Sequence, residues 1–310
     1  MTHPETTPAT RPTRCGYVGI VGRPNVGKST LLNHLVGQKI SITSDRPQTT
    51  RHNLLGIHTE GPDQIIYVDT PGQHGTERRA LNRLMNRHAR SVLADVDVLV
   101  MVVEAGRWKA DDDLVLDRLA RERGFDDGKA PILVLNKTDL VQPKERLLPF
   151  MEACARRAPF AEIIPASASN GYNLERLLVC IRERLPEAVH LFPADQVTDR
   201  SERFLIAEIV REKIMRRVGD ELPHQITVGI ERYVEEESRV HIHCQILVER
   251  DGQKAIVVGH KGERLKQAGI EARHEVERLL GKHVRLELWV KVKGGWSDDD
   301  RMLRQLGYED

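Results

Sequence analysis

No stretch of this chain approaches the ~20 consecutive apolar residues that a membrane-spanning helix requires, so any membrane association is expected to be peripheral. Paired cysteines are absent too. Cys15, Cys154, Cys180 and Cys244 are widely scattered and form no Cys-x-x-Cys pair, which argues against a zinc site or a disulfide framework and leaves ordinary thiols of a reducing cytoplasm. Net charge is lacking as well. The 47 Lys and Arg stand against 46 Asp and Glu, +1 overall, which excludes a polycation that coats nucleic acid along its whole length. Any nucleic-acid surface must be local. No internal repeat or long low-complexity tract is visible, and residues 1–14, rich in Thr and Pro with no apolar run, read as a disordered tail rather than a signal peptide.

What is present suffices for two domains, each with its own core. Across residues 15–186, short apolar runs alternate with helical patterns. Five runs (17–21, 65–68, 96–103, 132–135 and 163–166) have the character of buried parallel strands, and 53–59 reads as an antiparallel edge partner of the second. This is the rhythm of a doubly wound α/β domain. Residues 187–201, with little periodicity, read as a linker. Residues 202–296 then follow the order α-β-β-α-α-β, an α+β unit, and 297–310 is left as a C-terminal tail. Its last strand alternates Val284, Leu286, Leu288, Val290 and Val292 on one face with Arg285, Glu287, Trp289 and Lys291 on the other.

The first strand runs into Gly22-Arg23-Pro24-Asn25-Val26-Gly27-Lys28-Ser29, the G-x-x-x-x-G-K-[ST] phosphate loop, with Thr30 next on the helix it opens. Such a loop turns its N–H groups onto phosphate oxygens at a helix N-terminus. Lys28 is placed to reach the β- and γ-phosphates, and the Ser29 hydroxyl to ligate Mg²⁺. Asn136-Lys137-Thr138-Asp139, at a strand end, selects guanine: Asp139 accepts from the N1–H and exocyclic amine, a donor pair adenine does not present. Asn136 would brace that loop and the Lys137 stem would cover the base. Asp69-Thr70-Pro71-Gly72 places a carboxylate near Mg²⁺ and a glycine N–H near the γ-phosphate, and Ser167 and Ala168 are expected to pack on the base and offer it an N–H. Residues 41–51, polar and hydroxyl-rich, form the expected first switch, with Thr50 the first choice and Thr49 the second for completing the metal shell. A solvated loop without metal contact is the alternative.

With these residues in place, the chain resembles the Era family of bacterial GTPases, of the TrmE–Era class, across nearly its whole length. The resemblance is carried by GRPNVGKS at 22–29, KISITS at 39–44, QTTRH at 48–52, DTPG at 69–72, NKTD at 136–139 and LELWVKVK at 286–293. It implies a P-loop doubly wound GTPase domain followed by a type II KH domain, an order that matches the α-β-β-α-α-β pattern. It also implies GTP/GDP and Mg²⁺ as ligands and a role in small-subunit maturation through the 3′ end of the small-subunit ribosomal RNA, in a cytoplasmic protein, monomeric, with peripheral contact at the inner membrane as a further expectation. One position departs from the family's pattern: Gln73 stands after Asp-Thr-Pro-Gly where a hydrophobic residue is usual. It is either a water-positioning residue, as Gln at this spacing is in Ras-like GTPases, or an exposed switch residue. In related GTPases Asn25 resembles a ligand for K⁺ bridging the phosphates; its other reading is a hydrogen bond that shapes the loop.

KH domains grip single strands with a G-x-x-G loop between two helices, here Gly259-His260-Lys261-Gly262. Residues 252–296 carry ten Lys or Arg against five Asp or Glu, a local excess of +5 in a nearly neutral chain. Lys261, Arg264 and Lys266 are the expected phosphate contacts. Trp289 and Trp296 either stack on bases or pack, with packing favoured. Two functions compete: a GTP-hydrolysing assembly factor switched by GTP and GDP, and a slow or non-catalytic GTP-dependent RNA-binding or membrane-associated regulator of growth and division.

Overall fold

The structure, a computed structural model, describes residues 11–43, 54–69, 96–125, 129–218 and 226–305. Its first sheet follows from the apolar runs. In chain order come β1 (Arg14–Val21), α1 (Lys28–Val36), β2 (Leu54–Glu60), β3 (Asp63–Asp69), β4 (Val98–Glu104), α2 (Ala110–Glu122), β5 (Ile132–Asn136), α3 (Leu147–Ala155), β6 (Glu162–Pro165) and α4 (Leu174–Arg182). The strand order is β2-β3-β1-β4-β5-β6, parallel throughout except for β2, which runs antiparallel to β3 at the edge. These are the five parallel strands and the edge partner that the runs predict, residue 53 lying outside the described residues. Because side chains alternate along a strand, β4 feeds two cores at once. Val98, Val100 and Val102 pack with Leu31, Leu35 and Leu177 on one face; Leu99, Met101 and Val103 pack with Leu116 and Leu119 on the other. The strand order reverses direction at β1, so the crevice at its carboxyl end is where the phosphate loop falls.

The second unit has α5 (Glu202–Met215), β7 (Thr227–Glu235), β8 (Arg239–Val248), α6 (Asp251–Val258), α7 (Glu263–Leu280) and β9 (His283–Val292). The predicted α-β-β-α-α-β order holds. The sheet is β7-β8-β9, antiparallel then parallel, with a bulge between Ile230 and Arg232. The helices cover one face, where Ile206, Val210, Ile242, Cys244, Val276 and Val290 are buried. Ser201 caps α5 by accepting from the Phe204 N–H at 3.3 Å.

Three terminal and linking segments differ from expectation. Arg14, placed in the tail, begins β1 and donates its N–H to Pro62 O at 2.9 Å. The segment 187–201 does not hang free: the Ile57 N–H of edge strand β2 donates to Val197 O (2.9 Å), and Leu55 N–H to Asp199 Oδ1 (3.0 Å). Buried Gln64 holds the same strap, accepting from the Leu191 and Phe192 N–H groups (2.8 and 3.0 Å) and donating to Phe192 O (2.8 Å). An edge strand has unpaired backbone groups, and the strap supplies their partners. Residues 297–305, expected as part of the tail, continue the fold into α8 (Asp300–Gln305), where Met302 and Leu303 are buried.

Candidate nucleotide and RNA sites

The phosphate loop leaves β1 through Gly22, whose φ of 151° is closed to most residues. A Cβ there would lie 2.3 Å from Val102 O, so only glycine permits this close passage over β4. Asn25 is left-handed at φ 64°, which by itself accounts for an Asn at that turn. Lys28, 8% exposed, donates its ammonium to Gly22 O (2.9 Å) and Arg23 O (3.0 Å). Burial pulls its pKa down to about 8, with Asp69 opposing and Arg23 reinforcing the shift. The Ser29 and Ser41 hydroxyls both donate to Asp69 Oδ2, at 3.3 and 2.9 Å. Ser29 and Asp69 thus form a pair of hard oxygen donors at the phosphate end of α1, the donor chemistry Mg²⁺ takes.

The guanine-reading loop is tied to the phosphate loop by buried Asn136, which donates to Val26 O (2.8 Å) and accepts from Ala168 N–H (2.9 Å). Lys137 stretches back to Asn25 O at 2.7 Å. Asp139 accepts from the Ser167 hydroxyl at 2.5 Å. The Ser167 and Ala168 N–H groups are both engaged within the protein, on Tyr172 O and Asn136 Oδ1. A base reaches the Ala168 donor only by sharing it, and Ser167 serves by holding Asp139. Thr49, Thr50, Thr70, Pro71, Gly72 and Gln73 lie outside the described residues. The sites of Pro24, Val26, Gly27 and Thr30 fall on the loop and first turn of α1 as the motif requires.

Sequence reasoning missed the residues that hold Arg23. Its guanidinium, 6% exposed, meets Glu104 Oε2 at 2.8 Å and the fully buried Asp112 at 3.2 Å. Burial raises the Asp112 pKa despite the Lys109 N–H and Arg23 beside it, whereas at Glu104 the Arg23 hydrogen bond and nearby cations outweigh burial and lower it. The available signal was position: Glu104 ends β4 beside the phosphate loop. Also missed was Asn33, whose Oδ1 accepts from Ile40 and Ser41 N–H (both 2.9 Å) and fixes the root of the expected switch.

In the second unit Gly259 ends α6 at φ 73°, and a Cβ there would meet Arg264 Cβ at 2.6 Å. His260 and Lys261 are exposed on the single turn that Gly262 closes before α7 begins. A groove of about 440 Å³ opens beside this loop, lined among others by Arg216, Arg217, Gly259, His260, Glu263 and Arg264. Arg264 also reaches back to Ile256 O. Lys261 and Lys266 are exposed outside the groove lining. Trp296 is fully buried, so it packs; Trp289 meets His243 edge-on, centroids 6.0 Å apart. Among the described residues no helix is long and apolar enough to cross a membrane.

A family model described as a 50S ribosome-binding GTPase matches residues 17–137, and one described as a KH domain matches 221–297. The chain is 57% identical over 298 residues to GTPase Era of Pseudomonas fluorescens strain Pf-5, covering 96% of this chain and 98% of that one. It is 58% identical over 299 residues to GTPase Era of Pseudomonas putida strain W619, with the same coverage. A crystal structure of Era in complex with MgGDPNP and nucleotides 1506–1542 of 16S ribosomal RNA superposes at a TM-score of 0.88 with 39% identity, covering 96% of this chain and all of that one. An Aquifex aeolicus Era variant bound to GDP.AlF4- gives the same values.

Proposed function

The chain belongs to the Era family of GTPases, and from that premise we propose that it binds GTP with Mg²⁺, hydrolyses it to GDP and phosphate, and holds small-subunit ribosomal RNA near its 3′ end through its KH domain. We assign the catalytic unit to residues 14–186, the strap to 187–201 and the RNA-binding unit to residues from 202 onward. The carrying observation is the tie through Asn136 between the phosphate loop and the loop bearing Asp139, in a chain whose second half carries the Gly259–Gly262 turn and its arginine-lined groove. Lys28 and the loop N–H groups bind the β- and γ-phosphates, Asp139 reads guanine, and Ser29 and Asp69, with Thr50, hold Mg²⁺, which neutralises charge on the phosphate oxygens. The Gly72 N–H serves the γ-phosphate and water positioning falls to Gln73, with K⁺ at Asn25 as the competing device; single-turnover rates in K⁺ against Na⁺ separate them. The ribosome's compartment, the cytoplasm, is the proposed location, with membrane contact peripheral.

Single-turnover GTP hydrolysis with and without an RNA of the 1506–1542 sequence tests the reading, with an RNA-dependent rate expected. Hydrolysis and RNA affinity that ignore each other would defeat the coupled switch. Asp139→Asn replaces an acceptor by a donor. It should weaken GTP roughly ten- to a hundredfold while favouring xanthosine triphosphate, the scale of one charge-assisted hydrogen bond. Retained GTP preference would remove Asp139 from the base.

A further inference from the structure

We propose that Arg216 is a phosphate contact for single-stranded RNA outside the Gly259–Gly262 loop, and that the same guanidinium tethers the RNA groove to the root of the first switch. The proposal rests on the RNA-binding reading above. Arg216 follows the last residue of α5 and lines the groove with Arg217, His260 and Arg264, against one lining carboxylate, Glu263, among the described residues. That balance of charge suits a phosphate backbone. Yet its guanidinium points elsewhere, onto the first unit: Nη2 donates to Thr43 O and Thr43 Oγ1, both at 3.0 Å, and Nε to Thr43 O at 3.3 Å. It also pairs with buried Glu212.

Two features let this side chain change partners. It is 45% exposed, and Glu212 keeps Lys39 at 2.6 Å and Lys213 at 3.6 Å when Arg216 leaves, so no buried carboxylate is stranded. A phosphate in the groove then competes with Thr43 for one guanidinium, and charge-assisted pairing favours the phosphate. Thr43 stands two residues after Ser41, whose hydroxyl holds Asp69. RNA in the groove therefore loosens the segment that grips the metal-side carboxylate, and by reciprocity a nucleotide state that draws Thr43 away frees Arg216 for RNA.

RNA of the 1506–1542 sequence is titrated into the full chain with GDP or a non-hydrolysable GTP analogue, across a salt series. Arg216→Ala should weaken binding roughly five- to tenfold and lower the salt slope by about 0.7, one phosphate on a single strand. Thr43→Val should do the opposite, tightening RNA about two- to threefold with GDP bound by removing one of the three hydrogen bonds from Arg216 to Thr43. Misfolding produces no such gain. Lys261→Asp is the reference for the underlying reading. Weakening by Lys261→Asp with no change for Arg216→Ala or Thr43→Val would overturn the tether and leave the RNA reading intact; no effect from any of the three would overturn both.

Discussion

At the scale of single residues, Lys28 shows most directly what the fold asks of a side chain. Its ammonium sits between two loop carbonyls with little solvent, and burial draws its pKa from 10.5 to about 8. Between those values the folded chain binds fewer protons than the unfolded one, so this group's contribution to stability is full above 10.5 and is lost as pH falls through 8. The fold holds a destabilised cation at neutral pH, and nucleotide phosphates are what relieve it. Binding above pH 8 must then recharge the lysine. GDP affinity should be flat from pH 7 to 8 and fall toward 9.5, at most about tenfold per unit, with proton uptake visible by calorimetry in buffers of different ionisation heat. Affinity that stays level across the whole range would mean that the Lys28 ammonium is not set by its burial.

At the scale of elements, strands and motifs were legible because each rests on a local rule: a buried parallel strand must be apolar on both faces, and a phosphate loop must have its glycines where the backbone passes another strand. Val98 to Val103 and Gly22 carry those rules in the open. The strap at 187–201 was not legible, since what fixes it is backbone hydrogen bonding to an edge strand, and backbone groups leave no side-chain pattern. Its one trace was Gln64, a buried polar residue directly before the apolar run of β3, which a periodicity argument passes over. Arg23 was legible as loop but not as clamp, because its partners Glu104 and Asp112 come from two other elements. The strap assignment has a direct consequence. Gln64→Leu removes three hydrogen bonds to residues 191–192 and leaves two backbone N–H groups unpaired, which should cost about 2 kcal/mol and speed amide exchange across 191–198. Unaltered exchange there would mean that the β2 contacts alone hold the strap.

At the scale of the whole molecule, the two units are joined by more than the strap. Leu205 of α5 belongs to the first core and Leu279 of α7 packs on both. Beside them lies an ion network with Glu212 fully buried at its centre: Lys39 from the switch root reaches Glu212 at 2.6 Å and also Glu275, which Lys213 shares. Burial works against the Glu275 carboxylate, but Lys213 and Lys39 outweigh it and hold its pKa below 4.5. Its folded value is depressed, so its stabilisation is complete above the unfolded pKa and disappears as pH falls through the folded one. Acid should thus loosen the join between the units. A buried charge that loses its partner is costly, so Glu212→Gln, which leaves Lys39 and Lys213 to Glu275 alone, should destabilise by about 3 kcal/mol, the low end for a buried pair. The loss should appear as a split of one thermal transition into two, the catalytic unit melting apart from the RNA-binding unit, and the difference between variant and intact chain should narrow as pH falls through the folded value of Glu275, because the intact chain then approaches the variant. A single undivided transition in the variant at neutral pH would place the coupling in Leu205 and Leu279 instead.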